Sequence, residues 1–381
     1  MLPFDDSPPF VTAHEPLAAS LHWSRDAERF KLVFLKGSTR KTLFKTEESV
    51  TVGNAIERLV IEARAFTDCV SNWTERTPPS RRAADQERLR EAGEAVGAAL
   101  FPGEHASKFI RDLSESGAQF VGVDAVEGHN HVFPWNLIRF AGYDFWLGEL
   151  ACFSLAREGN DGRRQTAKHR DVAGVIAGYA DDDQLLSGLP SPTHPEATQS
   201  EYKALRKTAD GGIETLDDLP PGPMDPLALA KTQEWLATPL HLFHFNAHAS
   251  DPGHPQGFVQ IGLRLGAQLS GEDVVSGAQV TGAIVLDVCN AAHGTRNYWN
   301  NCLAASFHRR GVPVVLAAAS TVADAFGAEF SEVFYGEVPL NDYMLFQALR
   351  ATQRILLDRT RHPMALYYVY EGSPSFELGR Y

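Results

Sequence analysis

Two residues able to do covalent chemistry stand at matching places in this chain. The apolar run Leu240–Phe245 leads into Asn246-Ala247-His248-Ala249-Ser250, and the run Ala283–Val288 leads directly into Cys289-Asn290. A thiol attacks as its thiolate, which at an ordinary pKa of ~8.5 is only a few per cent of the population at neutral pH. An imidazole within reach takes the proton as the sulfur attacks. Cleaving an amide also requires donors for the tetrahedral oxyanion, and the backbone N–H groups of Cys289 and Ala249 are the obvious ones. Taken singly, each residue has a second reading: His248 as a satisfied core histidine, Cys289 as a small buried hydrophobe. Both sit at strand exits rather than mid-strand. Both are followed by small residues, Ala249-Ser250 and Asn290-Ala291-Ala292, that leave room for a substrate backbone.

Asp287 lies two residues before Cys289 and so shares its face in a strand. A buried carboxylate needs a partner. It either hydrogen-bonds a neighbouring strand end or lines a pocket for a basic side chain. Asp324, after the next strand, is a second candidate for that pocket, or it simply caps the helix that follows. His241, His244, His248, His254 and His293 crowd the same region and raise a metal site as an alternative. Their spacing matches no usual zinc pattern and no cysteine pair accompanies them, so no metal and no cofactor is expected.

The elements that must position these residues form an alternation. Strand patterns over Val172–Tyr179, the His248 and Cys289 runs, Val312–Ala319 and Leu366–Tyr370 are interleaved with helical patterns. The helices cover Asp225–Ala237, Tyr298–Arg310, Asp324–Tyr335 and Asp342–Leu357, the last capped by Asn341. That alternation predicts an α/β fold with a mostly parallel sheet flanked by helices. Ligands in such sheets bind beyond the carboxyl ends of the strands, where His248 and Cys289 fall. Upstream, Leu17–Trp23 and Phe30–Leu35 read as a strand pair, followed by helices over Ser49–Trp73, Arg81–Leu100 and Ala106–Ser114. A strand over Gln119–Val123 and an apolar run, Phe145–Ala156, complete this part. Arg157–Asp171 is charged and aperiodic, a linker between an N-terminal α+β region, 1–156, and a second domain, 171–381.

Composition bounds the rest. The 381 residues are 44% hydrophobic and 22% charged, ordinary for a globular protein. A net charge of −13 argues against direct nucleic-acid binding. No apolar run is long enough to span a membrane, and the start MLPFDDSPPF lacks the basic and apolar regions of a secretory signal. Four widely spaced cysteines, Cys69, Cys152, Cys289 and Cys302, make a disulfide scaffold unlikely and fit a reducing cytoplasm. Cys69, Cys152 and Cys302 read as small buried hydrophobes.

The segments HLFHFNAHAS, AIVLDVCNAAHGT, GVPVVLAAASTVADAFGAEFSEVFY and HPMALYYVYEGSPSFEL follow one another in an order and spacing that resembles a CHAT domain. This is a caspase-like peptidase family related to separases and metacaspases. The resemblance is strong over about Asp171–Leu378 and weaker upstream, in ALFPGEHASKFIRDL and FPWNLIRF. It implies a caspase-like fold in which residues 1–156 are a degenerate noncatalytic half. It implies a cysteine endopeptidase acting on a protein substrate through His248 and Cys289, without a cofactor. The Asp-x-Cys arrangement of metacaspases implies that Asp287, with Asp324 as second candidate, lines a pocket for a basic P1 residue. The family setting implies bacterial defence or programmed death and an activating partner protein. The long loops Ala180–Thr198 and Ala209–Met224 are the segments expected to be ordered by that partner. The chain departs from the family pattern at Ala249, where glycine is usual, at Asn290-Ala291-Ala292, where Glu-Thr-Gly is common, and in lacking tryptophan after Val312–Ala319. A noncatalytic scaffold or sensor of the same fold, and a metal-dependent hydrolase built on the histidines, are the alternatives.

Overall fold

A computed structural model of the chain describes residues 18–24, 29–36, 39–47, 50–74, 76–117, 119–124, 135–156, 166–167, 173–177, 214–215, 230, 242–247, 249–250, 260–262, 268–269, 282–288, 303–309, 311–338, 344–374 and 376–378. In chain order the first elements are β1 (Ala18–Ser24), β2 (Arg29–Lys36), β3 (Thr39–Glu47), α1 (Val50–Ser71), α2 (Pro79–Leu100), α3 (His105–Ser116), β4 (Phe120–Asp124), α4 (Leu147–Leu150) and β5 (Cys152–Ala156). Then come β6 (Thr166–Ala167), β7 (Ala173–Ala177), β8 (Glu214–Thr215), β9 (Leu242–Ala247), β10 (Ala249–Ser250), β11 (Gln260–Gly262), β12 (Gln268–Leu269) and β13 (Ala283–Val288). The last are α5 (Leu303–Arg309), β14 (Val314–Ala318), α6 (Asp324–Gly336), α7 (Leu345–Thr360), β15 (Tyr368–Gly372) and β16 (Glu377–Leu378).

Ile56, Leu59, Ala63 and Phe66 recur at helical spacing and are buried, which gives α1 its inward face. Pro79 opens α2 at the first helical position, where its missing N–H costs nothing and its φ is already helical. Gly93 and Gly97 let α2 lie directly against the backbone of residues 137–140. A Cβ on either would collide with the carbonyls of Leu137 and Arg139. The first sheet has the order β3-β2-β1-β4-β5, with β1, β2 and β3 antiparallel. The β1–β2 pair is the expected one. β3 is not anticipated by the sequence pattern, because Thr39–Glu47 is rich in threonine and lysine. Such residues suit the edge position it takes.

The six-stranded sheet has the order β15-β14-β13-β9-β7-β8. All its pairings are parallel except β14 with β15, so the expected mostly parallel sheet is present. Alternation sorts its residues between two faces. Phe243 and Phe245 look one way, and Phe245 meets Phe307 of α5 with ring centroids 5.9 Å apart. Leu242, Val285, Leu316 and Tyr370 look the other way, into the main core. That core is continuous between the first 150 residues and the six-stranded sheet. Phe120 of β4 packs edge-on against Phe346 of α7 and Tyr370 of β15. The Tyr367 hydroxyl donates to the Ala63 carbonyl (2.9 Å), and Thr67 Oγ1 donates to the Thr321 carbonyl (2.7 Å). β5 lies beside β15, and the Gly372 N–H reaches Ser154 Oγ at 3.2 Å. No helix among the described residues is long and apolar enough to cross a membrane.

Two boundaries differ from the sequence reading. α7 begins at Leu345 with Met344 in the cap position, and the Gln347 side chain accepts the Met344 N–H (3.2 Å). Asn341 is outside the described residues. The expected strand at Leu366–Tyr370 is present as β15 but begins at Tyr368, Leu366 and Tyr367 being the end of a 3₁₀ turn over Pro363–Tyr367. Pro363 supplies a helical φ at the start of that turn, and a short apolar run does not by itself separate helix from strand. The run Phe145–Ala156 likewise divides into α4 and β5. All but a single residue of the helix expected at Asp225–Ala237 lie outside the described residues.

Asn136 is buried between the two sheets, and its Nδ2 donates to the carbonyls of Leu366 and Tyr368, both at 3.2 Å. Asn136→Ala removes the donor and leaves buried carbonyl capacity unmet. It is expected to lower the unfolding free energy by about 1–3 kcal/mol, read from urea denaturation. A change within experimental error would show that this junction does not hold the two parts together.

Candidate active site

β9 and β13 run parallel in register from Leu242 beside Ala283 to Ala247 beside Val288. His248 and Cys289 are the next residue on each strand and both lie outside the described residues. Ala249 reappears in β10, paired with Ile261 of β11 in a small three-stranded sheet. The described part of the site is therefore the sheet edge that leads up to the two residues, and the groups that surround Asp287.

Asp287 stands beside Asn246 in the register and shares a face with His244 and Val285. Its carboxylate Oδ1 accepts a hydrogen bond from the Tyr368 hydroxyl at 2.5 Å. Tyr368 opens β15, opposite Ala318 of β14, so its ring reaches Asp287 across that intervening strand. Phe330 of α6 stacks flat on the Tyr368 ring, centroids 3.7 Å apart and planes 8° from parallel, and both rings are buried. The Tyr368 carbonyl also receives Gln353 Nε2 of α7 at 2.9 Å. The first turn of α6 comes down on the second carboxylate oxygen: a Cβ on Gly327 would sit 2.6 Å from Oδ2. Only glycine allows that approach, and the positive end of a helix beside a carboxylate is favourable.

Asp324 is the first residue of α6, and the cap position before it is held by Ala323 in an extended conformation. The helix-capping alternative for Asp324 thus does not describe this helix start. Among the five crowded histidines, His244 is the one inside the described residues. It is buried, and its Nδ1 shares a hydrogen bond of 2.9 Å with the Tyr335 hydroxyl. Burial lowers its pKa to about 4, against the opposing pull of the Asp287 charge. It is neutral at physiological pH and committed to Tyr335. Cys152 is fully inside the core, where burial pushes its thiol up to about 12, as expected of an inert cysteine. Cys69 is only half-buried, with Arg88 Nη2 3.6 Å from its sulfur. Cys302 is outside the described residues.

The sequence reading missed Tyr368, Phe330 and Gly327. Tyr368 lies 81 residues from Asp287. The alternation of Tyr368 and Tyr370 marks an inward face, but nothing local says which acid that face meets.

A family model described as the CHAT domain matches residues 125–369. No curated protein sequence matches the chain. Among solved structures, two crystal structures of the Saccharomyces cerevisiae separase–securin complex resemble it with a TM-score of 0.58 each, at 10% and 9% identity, over 94% and 95% of this chain. The chain spans about 30% of the length of the protein it matches there. A weaker likeness, TM-score 0.45 at 10% identity over 86% of this chain and 75% of the other, is to the Arg specific cysteine proteinase gingipain R.

His244 makes a pH prediction. Its folded pKa of about 4 lies below the ordinary 6.5, so above pH 6.5 neither state is protonated and it has no effect. As pH falls from 6.5 towards 4 the unfolded chain takes a proton that the folded chain refuses, and stability drops. His362, ringed by Phe66, Trp73 and Phe326, is shifted to about 4 for the same reason, burial. Each contributes a loss of about 3 kcal/mol if the full shift is realised. Unfolding free energies of wild type and of His244→Phe/His362→Leu, compared at pH 7 and pH 4.5, give the difference in slope. Equal slopes would contradict the burial argument.

Proposed function

The chain belongs to the CHAT family and has a caspase-like fold, and from that premise we propose that it is a cysteine endopeptidase with His248 and Cys289 as its dyad. The observation that carries the proposal is the register of β9 and β13. Ala247 and Val288 are neighbours at the carboxyl ends of adjacent parallel strands, and the dyad residues are the next in each chain. In the sequence His248 and Cys289 directly follow these two paired residues. This supports a nucleophile and a base sharing one sheet edge, the place where such sheets bind ligands.

The chemistry follows from those groups. His248 takes the Cys289 thiol proton while sulfur bonds to the scissile carbonyl carbon. The N–H groups of Cys289 and Ala249 receive the oxyanion. Collapse breaks the C–N bond, and His248 gives its proton to the leaving amine. The thioester that remains is opened by water, with His248 again as base. Asp287 serves as the acid of the P1 pocket, with Asp324 as a second carboxylate on the first turn of α6. The Tyr368 hydroxyl and the turn at Gly327 hold the Asp287 carboxylate in one place, which suits a group that must meet a guanidinium geometrically.

The setting is the finer part of the proposal: a cytoplasmic effector in bacterial defence or programmed death, held inactive until a partner protein engages it. One structural neighbour was crystallised as a complex with a partner, securin, which makes a protein partner a reasonable expectation here. The loops 180–198 and 209–224, the expected partner-ordered segments, fall outside the described residues apart from β8.

Cys289→Ala is expected to abolish cleavage of a casein or peptide substrate while leaving the circular-dichroism spectrum unchanged. His248→Ala should lose nearly as much, because members of a dyad act as a unit. Wild-type turnover by a folded Cys289→Ala protein would end the dyad assignment.

Specificity is tested separately, with fluorogenic peptides varied only at P1. Wild type should prefer Arg or Lys and reject Asp. Losing one partner of a desolvated ion pair costs about 2–5 kcal/mol, so Asp287→Ala should lose on the order of tens- to thousands-fold in kcat/KM on Arg substrates. On an uncharged P1 it should lose far less. A wild-type preference for acidic or apolar P1 residues would remove Asp287 from the pocket and leave the dyad standing.

A further inference from the structure

A cavity of about 360 Å³ opens between α4 and α7, and none of its lining residues belongs to the proposed peptidase site. Its walls include Gln347, Arg350 and Ala351 of α7, Gly148 and Glu149 of α4, and Gln119 just before β4. Its volume lies in the range of pockets that hold small molecules.

Arg350 is its centre. The guanidinium Nη2 donates to the backbone carbonyls of Glu149 (3.2 Å) and Leu150 (3.0 Å). A guanidinium carries five N–H donors, and both of these partners are neutral. Burial disfavours the Arg350 charge, and Arg354, one turn further along α7, adds to the penalty. The nearest acid on the facing helix does not compensate it. The Glu149 side chain turns back to accept the Trp146 N–H at 2.6 Å, closing the start of α4. Burial raises the Glu149 pKa, and Arg350 is not among the charges that act on it. A partly buried cation bordering a cavity, with no carboxylate against it among the described residues, is an incomplete pair.

We propose that this cavity binds a small monocarboxylic acid, its carboxylate received by the Arg350 N–H groups that the two backbone carbonyls leave over. The acid is small because the space is. Two cations, Arg350 and Arg354, and two acids, Glu149 and Asp358, border the cavity, so the wall is close to balanced and suits a ligand with one negative charge better than a dianion such as phosphate. The Gln347 side chain spends its Oε1 on the Met344 N–H and keeps its NH₂ for a polar substituent of the ligand. Ala351, Leu357 and Leu366 take the ligand's apolar part. The site is independent of the peptidase reading and does not need it.

Thermal shift and isothermal titration of the whole chain test it with a panel of two- to six-carbon monocarboxylates, amino acids included, against sodium chloride at equal ionic strength. Butyramide serves as the uncharged control, inorganic phosphate as the dianion. At least one monocarboxylate is expected to bind saturably, and butyramide and phosphate are not. Arg350→Gln removes the charge and should weaken binding at least tenfold. Because Arg350 also ties down the end of α4, Ala351→Phe provides the second test: it fills the cavity without touching the guanidinium and should abolish binding. Absence of saturable binding by every acid in the panel, binding that survives Ala351→Phe, or a response to phosphate alone would each overturn the proposal.

Discussion

Tyr368 is the residue on which the described part of this molecule turns. Its hydroxyl donates to Asp287, its ring is stacked under Phe330, and its carbonyl takes donors from Gln353 of α7 and from Asn136 of the N-terminal region. A tyrosine this deeply buried is cut off from bulk water, so its polar atoms need hydrogen-bond partners inside the protein. Each of those bonds comes from a different element. The sheet, two covering helices and the upstream region must therefore all be in place before any one of them is satisfied. The structural core and the candidate pocket share that condition.

The same constraint explains the small residues nearby. Tyr368 stands opposite Ala318 on β14, and α6 can close over the Asp287 carboxylate only because Gly327 carries no side chain. Burial has the opposite consequence for His244. It stays neutral, paired with Tyr335, and holds the inward face of β9 without adding a second charge beside Asp287. One face of the sheet thus runs from aliphatic depth, at Leu242 and Ala283, to a carboxylate at the strand end. Parallel strands are buried along their length and meet solvent at their carboxyl ends, so the polar residues collect there.

The N-terminal region is part of the same framework. α1 and α2, the turn at residues 135–137 and the edge strand β5 contribute to one core with α7 and β15. Phe120 sits between Phe346 and Tyr370, and Tyr367 and Thr67 tie α1 to the segments flanking β14 and β15. The described helices of this region, with β4 and β5, pack into the core that also carries β15 and α7.

The sequence by itself determined the strands and helices whose periodicity is strong, such as α1 at its Ile56–Phe66 stripe and β13 at Ala283–Val288. It also determined the order of the chemistry-bearing residues along the chain and the resemblance to a family. These are local or linear properties, written in spacing. Weakly patterned elements escaped it: β3 is too polar, and Leu366 and Tyr367, read as the start of the last strand, belong to the 3₁₀ turn that Pro363 opens. Only the tertiary structure decided that Asp287 meets Tyr368, that Gly327 lies over the carboxylate, and that Asn136 and Gln353 share one carbonyl. Those partners are brought together by strand order, ladder register and helix crossovers. A separation of 81 or 232 residues leaves no periodic trace in the chain that could announce the contact.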